Sequence, residues 1–419
     1  MIVFSKKVQA QAGAFSLVII LFEALRRAFT RGAHDFAVFH HAWHLVWTGQ
    51  GSQVYRDSPD RFLYSPGFAW FLAPLGGLSQ QWALVLWCFL KVIALLWVAK
   101  WVASEALKKV SVAEEFDDFT RWRAVILSMA LGVLIISRPL LIDFEYGQVN
   151  VLILALAIWG LATHLDAKSS GLKTMASWFL LGIIALAKVF PLPLLLIPFC
   201  LPLENSREKL RVERQSVLAA VFFTGLAPLL SLGWAGAWRL IFDWRDALLA
   251  RGFPIESHNQ SFLAFVQHFL SGHPTPVISE NGRAFFFGAA CLSSDQIFLI
   301  SLCWTLAALG VTLAWVIRGP KEKADSLRWA VLLVGLLIIP SHLIWKPYFV
   351  LSLPLAVYVA SQALTQRRRA WRWVFFLFLF FGMNLTTFDV LGHHWGALLE
   401  ASSSLLILHL ALMFWVAWV

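Results

Sequence analysis

The residues of this sequence with the most chemical potential fall at the ends of apolar runs. Asp35, preceded by His34, opens a stretch rich in histidine and aromatic residues, RGAHDFAVFHHAWHLVWTGQGSQVYRDSPDRFLYSPGFAWFLAPL, just after the first apolar run. Residues 138–150, RPLLIDFEYGQVN, place Arg138, Asp143, Glu145, Tyr146, Gln148 and Asn150 between two further apolar runs. A carboxylate at a lipid boundary either caps a helix in solvent or takes a proton from a substrate hydroxyl as a general base. Polar groups at the mouth of two apolar helices are costly unless they pair with one another, with water or with a ligand. The second cluster is therefore either a structural network or a binding surface.

Three further segments carry polar residues of interest. Lys188 in ALAKVFPL either snorkels to headgroups or serves as a point charge for a phosphate. HNQSFLAFVQHFL, residues 258–270, reads as an amphipathic helix that begins with Asn259, Gln260 and Ser261. IPSHLIWKPYFVLSLPL contributes Ser341, His342, Trp345, Lys346 and Tyr348 at a junction of apolar runs. The histidines of 34–44 offer only His40 and His44 at a clear i, i+4 spacing, with no assignable third ligand, so no metal is expected. Signatures of nucleotide-driven or soluble hydrolytic chemistry, such as G-x-x-x-x-G-K-[ST], H-E-x-x-H and G-x-S-x-G, are absent from the sequence.

The elements that position these groups must be membrane helices. Of the 419 residues 59% are hydrophobic and 14% charged, with 22 Trp and 35 Phe, a balance that excludes an ordinary soluble globule. The mean hydropathy of +0.71 agrees. A span needs about 20 apolar residues. Candidate spans fall at 10–29, 80–103, 121–138, 149–164, 175–188, 189–203, 216–233, 296–317, 328–342, 347–364, 372–388 and 399–418, the pair meeting at 188–191 reading also as a broken helix with a re-entrant piece. The expectation is a single all-α polytopic domain over 1–419, with about twelve helices and two long outer loops, 30–79 and 234–295. Lys6 and Lys7 precede the first run and no small-residue cleavage site follows, so it reads as a retained span. Four cysteines without metal spacing predict neither a disulfide framework nor a cysteine metal site.

Charge orients the chain. With the N-terminus inside, the short inner loops collect 20 of the 34 Lys and Arg, including Arg207, Lys209, Arg211 and Arg214, then Arg318, Lys321, Lys323 and Arg328, then Arg367, Arg368, Arg369 and Arg372. This positive-inside bias predicts both termini in the cytoplasm. The net charge of +10 is thereby an orientation signal, and its dispersal between apolar runs argues against a nucleic-acid partner. Histidine shows the opposite bias, with ten of twelve falling outside, so chemistry is expected on the outer face. In 35–47 the aromatic residues Phe36, Phe39, Trp43 and Trp47 recur at helical spacing, suggesting an interfacial helix with aromatic rings toward lipid and imidazoles toward water. Glu23 and Lys91 lie within spans with no evident role.

The order of these segments resembles glycosyltransferase family 87, membrane transferases of the GT-C superfamily that use polyprenyl-phosphate sugars. The residues that carry the resemblance are Asp35-Phe36, Gly49, Val54-Tyr55, Tyr64-Ser65-Pro66 with Pro74, Arg138-Pro139 with Gly147-Gln148-Val149-Asn150, Lys188 with Pro191, Asn259-Gln260-Ser261, and Pro340-Ser341. The family often places a Trp just before a His at the late outer turn, whereas here His342 precedes Trp345 and Lys346 follows it. The resemblance implies an inverting transferase in the bacterial inner membrane, mannosyltransferase-like, that moves a sugar from polyprenyl phosphate to a lipid or glycan acceptor outside. It implies no cofactor or metal. Asp35 would be the base, with Glu145 or Asp143 as alternatives. The expected substrate-binding residues are His34, Tyr64, Arg138, Asp143, Gln148, Asn150, Lys188, Gln260, His342 and Lys346. Of these Lys188, with Arg138, His342 or Lys346, would balance charge on the departing phosphate. A transporter or flippase of a lipid-linked or polar substrate is the alternative reading, although the two halves show no evident repeat.

Overall fold

The computed structural model describes residues 5–56, 62–111, 117–166, 168–200, 207–252, 256–276, 284–320, 322, 325–365, 370–386 and 388–418. The basic residues Lys321, Lys323, Arg367, Arg368 and Arg369, used above for orientation, lie outside the described residues. The chain is almost entirely helical, the described strands being a two-residue ribbon in which Thr275–Pro276 pairs with Ala284–Phe285.

The helices run in order as α1 (Lys6–Thr30), α2 (His34–Trp47), α3 (Pro66–Gly76), α4 (Gln80–Ser111), α5 (Asp118–Ile135), α6 (Ser137–Tyr146), α7 (Asn150–Leu165), α8 (Gly171–Ala187) and α9 (Ile197–Cys200). They continue with α10 (Arg207–Arg251), α11 (Phe262–Leu270), α12 (Ser294–Arg318), α13 (Ser326–Leu336), α14 (Leu353–Thr365), α15 (Ala370–Leu385), α16 (Phe388–Ala401) and α17 (Ser404–Trp418). Five described segments are long and apolar enough to cross a membrane: α1, α4, α10, α12 and the stretch Lys346–Thr365 that ends in α14. Two bent pairs, α5 with α6 and the end of α16 with α17, raise this to seven if each pair is one span. Helices α7, α8 and α13 and most of α15 are apolar but shorter.

The expected span at 189–203 is not there. Its described part is a short 3-10 turn, Leu192–Leu196, followed by the four-residue α9. Pro191, Pro193 and Pro198 remove the amide donors that a continuous helix would need. The second long loop is also less loop than expected, because α10 continues to Arg251 after a break at Gly233, whose φ of 69° is left-handed.

The bundle turns its outer surface to an apolar medium. On α1 Phe15, Val18 and Phe22 are exposed, on α10 Leu218, Phe222 and Leu230, and on α12 Leu299, Leu306 and Val311. By contrast, Leu353 to Ala360 of α14 are all buried, where the helix packs on α4, α5 and α17. A helix apolar on every side belongs in such a position. Helix starts follow local rules: Ser5, Asp117 and Ser170 accept from backbone amides at the starts of α1, α5 and α8, and Ser293 forms a capping box with Gln296 on α12.

One expected orientation is reversed. Phe36, Phe39 and Trp43 of α2 are buried against Phe68 of α3 and Trp87 of α4, whereas Trp47 is exposed. The aromatic stripe is core, not a lipid anchor. His40 Nε2 lies 3.0 Å from the Leu78 carbonyl and His44 Nδ1 2.9 Å from that of Gly76. Both carbonyls lie at the C-terminal end of α3, so these imidazoles satisfy helix-end groups and tie α3 to α2.

Candidate active site

A cavity of about 760 Å³ opens where α1, α2 and α6 meet the end of α10 and the turn before α14. That volume falls within the range of small-molecule sites, about 300–1,000 Å³. Asp35 and His34 line it from α2, Arg138 and Glu145 from α6, Arg27 from α1 and Arg31 from its C-cap, Arg251 from α10, and His258, Trp345 and Lys346 from the late segments.

Local geometry explains how α2 reaches this place. Gly32 (φ 90°) and Ala33 (φ 41°) both take left-handed backbone, reversing the chain after α1. Ala33 occupies the cap position and no side chain caps α2, so Asp35 sits in the first turn without a capping bond. Its carboxylate accepts a hydrogen bond from Gln148 Nε2. Burial pushes the Asp35 carboxyl above the usual carboxylate range, opposed by that hydrogen bond and by the charges of Lys188, His34 and Arg251.

Gln148 is itself placed by Gly147. This glycine has φ 67° and ends α6, and a Cβ there would lie 2.5 Å from Cβ of Phe36, the neighbour of Asp35. Only glycine combines that backbone with that approach. Trp87 Nε1 donates to the Gly147 carbonyl at 2.9 Å and holds the turn from below.

Behind Asp35 a chain of polar groups runs into the bundle. Tyr64 Oη and Lys188 Nζ each donate to Gln148 Oε1 at 3.3 Å, and Lys188 Nζ donates to Asn150 Oδ1 at 2.7 Å. Asn150 Nδ2 donates to Asp143 Oδ2 at 3.0 Å, and Asp143 Oδ1 meets Lys91 Nζ at 2.6 Å. Lys91 also donates to the Asp143 carbonyl at 2.9 Å and lies 4.1 Å over the Phe144 ring. Lys188 lies 4.0 Å over the ring of Tyr348. Lys91, which had no role in the sequence, thus neutralises a carboxylate that would be prohibitive in a bilayer alone.

Glu145 faces the other way. Arg31 Nη1 approaches it at 2.9 Å and Arg27 Nη1 at 3.3 Å, while Arg27 also binds Glu23 at 2.8 Å. Glu23 thereby gains its role, as partner of Arg26 and Arg27.

The sharp entry into α6 is held by Asn384 of α15. The α5–α6 bend of 70° strands carbonyls at the end of α5. Asn384 Nδ2 donates to those of Leu134 and Ile135 at 2.8 and 2.9 Å, while its Oδ1 accepts from Ser137 Oγ and the Arg138 amide, both at 2.8 Å. Arg138 then reaches the Thr386 carbonyl at 2.7 Å and its Oγ1 at 3.0 Å.

The expected residues therefore divide into three groups. His34, Asp35, Arg138, Glu145 and Lys346 line the cavity. Tyr64, Asp143, Gln148, Asn150 and Lys188 form the chain behind it. Gln260 and His342 do neither: Gln260 Nε2 donates to the carbonyls of Ser257 and Glu400 at 2.9 and 2.6 Å, and His342 Nε2 contacts Thr305 Oγ1 at 2.6 Å on α12. Asn259 pins the late turn, donating to the His342 carbonyl at 3.1 Å and accepting from the Ile344 amide at 3.1 Å. The effect is to set Trp345 and Lys346 on the cavity wall. The sequence reading missed Arg27, Arg31, Arg251 and Glu400. Arg251 stacks 4.9 Å over Trp345, and Glu400 binds Lys346 at 2.8 Å and His258 at 3.3 Å. Arginines following a span were readable as snorkelling residues only, and nothing local marked Glu400.

Among the described residues no group of three or more His, Cys, Asp or Glu is arranged to hold a metal ion. What the cavity offers is three carboxylates, Asp35, Glu145 and Glu256, a set of cations and an aromatic wall. Comparison with curated proteins finds no match. The family model for glycosyltransferase family 87 matches residues 62–345, starting after Asp35 and ending one residue before Lys346. That stretch is more than half of the chain and includes α6, Gly147-Gln148, Lys188 and the turn at Trp345, so the protein belongs to glycosyltransferase family 87.

Proposed function

We propose that the protein transfers a sugar, mannose in the first instance, from polyprenyl phosphate to a lipid-linked or glycan acceptor, with inversion and with Asp35 as general base. The observation that carries this reading is the meeting of Asp35 with Arg138, Arg251 and Lys346 around one cavity. In the reaction Asp35 takes the proton of an acceptor hydroxyl, the freed oxygen forms the new bond to the anomeric carbon, and the bond from that carbon to the phosphate oxygen breaks. The electron pair leaves with polyprenyl phosphate, and the cations stabilise the growing charge in a water-poor site. Trp345 supplies a flat face for the sugar ring.

Lys188 takes a different part from the one expected of it. It sits behind Gln148 and off the cavity wall, so Arg138, Lys346 and Arg251 are the groups suited to meet the phosphate, while Lys188 orients Gln148 toward the base. No cofactor is required, since the donor already carries its leaving group. The bundle is read as GT-C-like, with the short apolar helices completing about twelve crossings. The family resemblance supports a bacterial inner-membrane protein, and lysine and arginine placement supports both termini inside with the cavity at the outer face.

Purified protein given radiolabelled polyprenyl-phosphate mannose and a membrane lipid extract is expected to yield a new labelled lipid or glycan. Folded protein that transfers nothing from any polyprenyl-phosphate sugar sinks the reading. Transport of the label across sealed vesicles without transfer would favour a flippase.

A further inference from the structure

We propose that Glu400 is a positioning residue of this site: from the C-terminal helix pair it holds Lys346 and His258 on the cavity wall, where they receive the phosphate of a lipid-phosphate ligand. This rests on the reading that the cavity takes a polyprenyl-phosphate donor. Glu400 lies at the end of α16, well beyond the last residue matched by the family. Its side chain is 2% exposed and does not line the cavity, yet it contacts two residues that do, Lys346 at 2.8 Å and His258 at 3.3 Å.

The backbone under Glu400 is fixed on both sides. Its carbonyl accepts from Gln260 Nε2 at 2.6 Å, and the next carbonyl, of Ala401, is met by His268 Nδ1 at 2.6 Å. The chain then turns at Ser403 (φ 53°) into α17, with a bend of 58°. Gln260 thus fixes the backbone from which the carboxylate projects. A third basic group, Arg138, acts electrostatically on both Lys346 and His258. One carboxylate set among Lys346, Arg138 and His258 leaves the group at least one positive charge in excess, which suits an incoming phosphate.

The role of Glu400 follows from desolvation. A largely buried ammonium beside Arg138 needs a counter-charge, and without Glu400 it loses its proton or leaves the wall. The charged and titratable groups facing Lys346 are Arg138 on α6, Glu400 on α16 and His258 in the segment before α11. Burial holds His258 below the ordinary histidine range, so Lys346, in contact with Glu400 at 2.8 Å, is the group whose charge the carboxylate sustains.

The test is equilibrium binding of undecaprenyl phosphate to the purified full-length protein in detergent between pH 7 and 9. Glu400→Gln is expected to weaken binding at least about tenfold at pH 8, with the gap to wild type widening as pH rises, and Glu400→Asp to recover part of it. A structural role alone would leave no pH-dependent gap. Glu400→Gln with wild-type affinity at every pH overturns the proposal. Wild-type protein that binds no undecaprenyl phosphate overturns the donor reading instead. Should Glu400→Gln fail to fold, Lys346→Met combined with Glu400→Gln removes both charges and is expected to fold and bind weakly without pH dependence. Wild-type affinity in that double variant, or in Lys346→Met alone, overturns the proposal.

Discussion

Asp143 and Glu145 stand two residues apart on α6, and the protein treats them as opposites. Asp143 is fully buried and shares its charge with one lysine, Lys91, and one amide, Asn150. Glu145 lies on the cavity wall between Arg27 of α1 and Arg31 just after that helix, the latter half exposed. Two residues along a helix differ by about 200° in direction, so carboxylates at this spacing cannot act on one substrate together. The difference teaches that a carboxylate in this family site earns its role from what lies behind it. Asp143 anchors the polar chain that ends at Asp35, whereas Glu145 fixes two cations at the cavity edge.

The sharpest way to break this picture is at the end of the chain. Asp35→Asn is expected to cut turnover by about 10²–10⁴-fold while undecaprenyl phosphate still binds, measured with labelled donor and by equilibrium binding. If Asp35→Asn remains active and Glu145→Gln does not, the two carboxylates exchange roles. Next in size is the buried pair. Asp143→Asn leaves Lys91 charged and unpaired in the bundle, a change expected to destabilise by about 3–5 kcal/mol, read from thermal unfolding in detergent. Combining Asp143→Leu with Lys91→Met is expected to recover most of that loss, and no recovery would show that the pair does more than neutralise itself.

A smaller effect tests the link between the regions. Asp35 works as a base only when deprotonated, and burial raises its pKa, so activity falls as pH drops through a value above the usual carboxylate range. The hydrogen bond from Gln148 opposes that rise, and removing it with Gln148→Leu is expected to move the acid limb to higher pH. An acid limb that stays in place in the pH–rate profile of kcat would separate Gln148 from the base. The smallest effect belongs to the cavity edge. Glu145→Gln is expected to cost about 0–1 kcal/mol in stability, because its partners remain accessible to solvent, and to change turnover less than Asp35→Asn.

Much of this was legible in the chain itself. The GQVN turn, Lys188 and the Asp35 segment are flagged by polar residues beside apolar runs, and all three belong to one network in the folded protein. The periodicity of α2 was equally clear, but the face it buries was not: an aromatic stripe fits lipid and core alike, and only the presence of Phe68 and Trp87 decided for the core. Asn259-Gln260-Ser261 showed the reverse difficulty. The resemblance implied a substrate contact for Gln260, and in the fold Asn259 and Gln260 satisfy backbone carbonyls of the late turn and of α16.

By composition and charge placement alone the sequence determined a polytopic membrane protein with most of its ionisable groups outside the spans, because apolar length and positive loops act locally. Only the tertiary structure decided which cations share the cavity with Asp35. Arg27, Arg138, Arg251 and Lys346 are far apart in sequence, and no local pattern records a contact made by packing α1, α6, α10 and the turn before α14 around one space.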